Sequence, residues 1–128
     1  MKTCAVEILL CVAGPGVTPE RCEKATGLQG SYAWSRDDFP MWNSWGVRVQ
    51  VQTIDLGEAM EPLLEMVDAV EASWMGMMAE NSEWRASVVF TVTIEDDPTP
   101  EDYPRVAFSS EQVRHLSRLG LAVDVTFR

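Results

Sequence analysis

Residues 4–12 alternate, with Cys4, Val6, Ile8, Leu10 and Val12 on one side of an extended chain. Leu9 and Cys11 make the other side partly apolar as well, which suits a central strand. Val47, Val49, Val51 and Thr53 alternate with Arg48, Gln50 and Gln52, so a second strand has one buried face and one wet face. The cleanest alternation is Ala86, Val88, Phe90, Val92 and Ile94 against Arg85, Ser87, Thr91, Thr93 and Glu95. Arg105 to Phe108 reads as a short strand, and Val123, Val125 and Phe127 alternate in a last one.

Between these runs the spacing turns helical. Thr18 followed by Pro19 gives a hydroxyl cap and a proline at the first helical position, and Gly27 closes that short helix. Asp55 and Glu58 form a D-x-x-E cap ahead of the longest predicted helix, over residues 58–79. Met60, Leu63, Leu64, Val67, Val70, Trp74 and Met77 or Met78 make its apolar face, and Glu58, Glu61, Glu65 and Asp68 the opposite one. Pro62 must sit in its first turn or bend it. Ser109 with Gln112 is a capping box, Val113, Leu116 and Leu119 follow at helical spacing, and Gly120 ends that helix. The pattern predicts one α+β domain over residues 1–128. Its mostly antiparallel sheet has about five to six strands, with one long and two short helices packed on one face. Trp74, Val88, Phe90, Val92 and Val125 are expected in its core.

Charge then changes the picture. The formal net charge is −10, and thirteen acidic residues lie between Asp55 and Asp102 against Arg85 alone, a net of −12. Everything outside that section sums to +2. Such a field repels nucleic acid and anionic lipid and attracts basic partners. The bland alternative is a solvated face that keeps the chain soluble. At 128 residues with 46% apolar content and five tryptophans, the chain has material for a core. No run approaches 18 apolar residues, so no membrane span is expected. In "MKTCAVEILLCVAGPG" Glu7 interrupts the apolar run and Leu10 occupies the place of a small residue before Cys11, which speaks against export. Cys4, Cys11 and Cys22 are odd in number with no C-x-x-C, so reduced thiols in a cytoplasmic protein are expected.

The opening strand, "VTPERCEKATGL", a tryptophan-containing polar stretch, "WGVRV", a long helix and "YPRVAFSSEQVRHLSRLGLAVDVTF" together resemble a small bacterial family, domain of unknown function 4279. The most specific parts are Thr18, Pro19 and Glu20, and the closing run of Ser109, Glu111, Leu116, Leu119, Gly120, Leu121 and Asp124. The family's W-x-K-G-D-like element becomes Trp34-Ser35-Arg36-Asp37-Asp38 here, without the glycine. The resemblance implies a fold and a cytosolic bacterial origin. It brings no established activity.

One histidine, three scattered cysteines and the acids of residues 95–102 do not make a zinc or calcium signature, so no metal or cofactor is expected. A Cys22–His115 pair lacks a third orienting group, so no catalytic residue is assigned. No phosphate-cradling glycine motif is present. Trp45 stands in phase with Val47 and should point into the core, and Trp84 reads as an edge anchor. Trp34 and Trp42, with Tyr32, Phe39 and Met41, are either a lid held down by core tryptophans or an aromatic patch for a partner. The candidate contact residues are Trp34, Asp37, Asp38, Trp42, Glu58, Glu61, Glu65 and Asp68. The expected function is a non-enzymatic module of a bacterium or phage that occupies a basic protein surface, such as a toxin-neutralising immunity protein. The competing expectation is a small-molecule binder or enzyme with a pocket under residues 30–45.

Overall fold

A computed structural model describes residues 2–35 and 43–128. β1 (Cys4–Ala13) runs through the middle of a sheet, antiparallel to both β3 (Ser44–Thr53) and β4 (Arg85–Val92). β2 (Tyr32–Trp34) extends the sheet antiparallel to β3, and β5 (Leu121–Phe127) extends it parallel to β4. The order is β2-β3-β1-β4-β5, so the sheet is mixed with one parallel pairing. That pairing needs a crossover, and the segment from residue 93 to 120 supplies one with a helix inside it.

Register explains the core. Val6 lies between Val51 and Val92, Ile8 between Val49 and Phe90, and Leu10 between Val47 and Val88. Opposed residues point to the same face, so this face is apolar across the three central strands. Four helices cover it: α1 (Pro19–Thr26), α2 (Leu56–Asp68), α3 (Glu71–Glu80) and α4 (Ser110–Leu119). Cys22, Met60, Leu64, Trp74 and Leu119 from these helices join Val6, Ile8, Phe90 and Trp45 in one buried cluster. The opposite face carries Glu7, Leu9, Arg48, Gln50, Val89 and Thr91, all partly or fully exposed. The α+β class and the single helical layer therefore follow the pattern.

Four expectations need correcting. The long helix is two helices: Val70 takes φ −127° and ψ 29° between α2 and α3. No proline or glycine forces this break. The Trp74 indole N–H reaches the Leu119 carbonyl at 3.1 Å, and tertiary packing of that kind outweighs local propensity. Pro62 lies in the second turn of α2, on the exposed side, where its missing N–H removes the bond to the Glu58 carbonyl. Arg105 to Phe108 is no strand; Arg105 makes one isolated parallel bridge with Asp55. Trp74, Val88, Phe90 and Val92 are fully buried as expected, but Val125 is half-buried because β5 is an edge strand.

Candidate functional site

The first turn of α2 is fastened to the segment that follows Pro104. Arg105 N–H donates to the Ile54 carbonyl at 2.7 Å and Leu56 N–H to the Arg105 carbonyl at 3.0 Å. Asp55 caps α2, its carboxylate accepting from Glu58 N–H at 3.2 Å, with the Arg105 guanidinium 3.9 Å from its other oxygen. Glycine is required at 57, because a Cβ there would stand 2.6 Å from the Ala107 carbonyl oxygen. Gln112, on α4, donates to the Gly57 carbonyl at 2.7 Å and to the Glu61 carboxylate at 2.6 Å.

A second wall is the turn Pro100–Asp102. Asp102 is 4% exposed, a rare burial for a carboxylate, and it is fully engaged. It accepts from Lys2, from Thr99 N–H at 2.6 Å and from the Thr99 hydroxyl at 3.2 Å. The Lys2 ammonium beside it, then the Thr99 amide, hold its carboxyl below the usual carboxylate range. Asp102 and then Glu95 push the Lys2 ammonium upward in return. The Cys4 thiol donates to the Asp102 carbonyl at 2.7 Å, so the turn is clasped to the start of β1.

Between the walls lies a groove. One part, of about 780 Å³, is bordered by Lys2, Asp55, Glu58, Glu101, Tyr103 and Arg105, the two cations being held by Asp102 and Asp55. It continues past Asp55 and Glu58 into a hollow of about 350 Å³ bordered by Glu61, Ser109 and Gln112. Glu58 and Glu101 are exposed and have no ion pair among the described residues. Two carboxylates on facing walls can take up a guanidinium or an ammonium group between them. Ser109 is spent on its helix cap. Among the described residues no group of three metal-ligating side chains comes together.

The expected contact residues do not form one surface. Glu58 and Glu65 are exposed on α2, but Asp68 is bound by His115 Nε2 at 2.6 Å and by Arg118 at 3.1 Å. Arg118 also reaches Glu71 at 3.0 Å, so α4 bolts the junction of α2 and α3. Glu61 and Asp68 hold the fold rather than stand free. His115 is partly covered by this pairing, its side chain 19% exposed. Cys22 is buried with its thiol pushed up to about 11 by desolvation, and no hydrogen bond joins it to His115, whose Nε2 is taken by Asp68. Trp34 is 43% exposed and sits opposite Ser44, on the sheet face away from the helices. It therefore lies across the sheet from Glu58 and Glu65. Asp37, Asp38 and Trp42, with Phe39 and Met41, lie outside the described residues. Beside Trp34 is a hollow of about 290 Å³ bordered by Thr18, Trp34 and Ser44, smaller than the groove.

Sequence reasoning missed the groove because its second wall reads as a solvated acidic loop. One signal was present: Thr99-Pro100-Glu101 repeats the Thr18-Pro19-Glu20 opening of α1, and here too it starts a turn of helix. No known protein family, curated protein or solved structure matches the chain.

Proposed function

We propose that this chain is a non-enzymatic binding module that occupies a basic protein surface, with the Glu58–Glu101 groove and the exposed acids around it as the contact. One observation carries the reading. Of the thirteen acidic residues from 55 to 102, Glu58, Glu65, Glu80, Glu83, Asp96, Asp97 and Glu101 are exposed without a side-chain partner among the described residues. Internal pairing thus absorbs fewer than half of the section's charges, and the remainder act outward. A toxin-neutralising immunity protein is the most concrete form, since a nuclease presents a basic groove and complementary charge speeds the encounter. The resemblance to the 4279 family adds no activity to this reading.

Exposed charges act chiefly on the association rate and are screened by salt. Reversing Glu58 and Glu65 together to lysine leaves the fold intact and slows capture of a basic partner by about ten-fold at low salt. The difference shrinks as salt rises past the physiological range. Stopped-flow binding at low and high salt tests it; an association rate unmoved by the reversals overturns the reading. A second reading, a small cationic ligand in the groove, has its volume in its favour, about 780 Å³. Saturable binding of a small amine or guanidine with no protein partner supports that one.

A further inference from the structure

β5 is the outermost strand beside β4, and no strand among the described residues covers its other edge. Arg128 N–H donates to the Val92 carbonyl, and the Arg128 carbonyl accepts from Ile94, so its backbone polar groups point at β4. Backbone groups alternate sides along a parallel strand. Those of Val123, Val125 and Phe127 therefore point outward, and they have no partner among the described residues. An open edge of seven residues is long for a strand that nature usually blunts with prolines or bulges, and neither is present here.

The surroundings are apolar. Of the six large hydrophobic side chains found exposed, Tyr103, Val106, Val113 and Phe127 come from β5 or the segment leading to it. Tyr103 packs edge-on to Phe127 with ring centroids 5.8 Å apart, which joins the strand edge to the wall of the acidic groove. From these observations we infer that the β5 edge is a strand-addition site for an extended basic segment of a partner protein. Outward amides and carbonyls of Val123, Val125 and Phe127 give the backbone pairing. Apolar residues of the incoming strand lie beside Val125 and Phe127, and lysine or arginine lies opposite Asp124, which is exposed on the open face without an ion pair among the described residues.

A second copy of this chain is the poorer occupant. Antiparallel pairing of the whole of β5 with itself puts Leu121 opposite Phe127 and Asp124 opposite Asp124. Like charges directly opposed are destabilising, and each copy brings a net charge of −10. The inference takes the sign of the partner's charge from the function proposed above; the open edge stands without it.

The probe is a blocked peptide alternating valine and lysine, matched to the seven residues of β5. Its binding is read by amide hydrogen exchange and by titration. It should slow exchange at Val123, Val125 and Phe127, and N-methylation of alternate residues should weaken it about ten-fold or more, the loss of one or two backbone bonds. Asp124→Lys should transfer the preference to the matching valine–glutamate peptide. An N-methylated peptide that binds equally well, protection confined to α2, or a dimer that protects β5 without peptide each overturns strand addition. If Glu58 and Glu65 reversal leaves capture rates unchanged while the β5 protection persists, the acidic-groove reading fails and this one stands.

Discussion

Gly46 shows how much one residue type decides. It sits in β3 opposite Cys11, and a Cβ there would meet the Leu10 carbonyl oxygen at 2.0 Å, backbone that cannot swing aside. Gly46→Ala should therefore cost about 2–4 kcal/mol, visible as a lower urea midpoint with an unchanged slope. Trp45 beside it was readable from phase alone, and it is 1% exposed. Its indole N–H, the one buried side-chain polar atom without a partner among the described residues, carries no sequence signal. The thiols follow their surroundings. Cys22, buried with its thiol raised to about 11, should react with a disulfide reagent at the rate of unfolding, while half-buried Cys11 reacts sooner. Cys22→Ala should cost about 1–3 kcal/mol and leave partner binding intact; a folded variant that has lost binding would place Cys22 in the function.

At the scale of elements, alternation and caps located every strand of more than three residues and both ends of α1 and α4. Legibility failed where a decision depended on partners far along the chain. The apolar stripe from Met60 to Met77 is continuous, so nothing local marks the break at Val70. Trp74 binding the Leu119 carbonyl and Arg118 bridging Asp68 and Glu71 are contacts across about 45–50 positions. The acids of α2 were visible as a face, but which of them α4 consumes was not. Two tests separate these roles. Asp68→Asn should lower stability by about 1–2 kcal/mol, since it releases both His115 and Arg118, whereas Glu65→Gln should change it by less than about 0.5. Phe90→Ala, in the middle of β4 against Ile8 and Phe108, should cost about 3–5 kcal/mol. An equal response of Asp68 and Glu65 would mean that α4 is not bolted through Asp68.

Over the whole molecule, the acidic section must be held down against its own repulsion, and the clasp of Lys2 on Asp102 does this at the start of β1. Residues 93–105 would otherwise be a long acidic connection between β4 and the groove. Asp102 ties them to the start of β1, with Glu95 sharing the same ammonium at 3.1 Å. The folded state holds the Asp102 carboxyl below its unfolded value near about 3.9, so its contribution is complete above that pH and fades as pH falls through the lower folded value. Lys2 is raised above its unfolded value of about 10.4, so the same contact is lost from the other side only as pH climbs beyond that. The clasp is therefore intact across the neutral range and opens in acid. Asp102→Asn keeps the shape but loses the charge; it should lower the melting temperature at pH 7 and flatten the fall in stability below about pH 4. Because the turn carries Glu101 and Tyr103, the same variant should speed amide exchange from 99 to 103 while β1 and β4 stay protected. A variant with the wild-type melting curve at both pH values would show that the groove's second wall stands without the clasp.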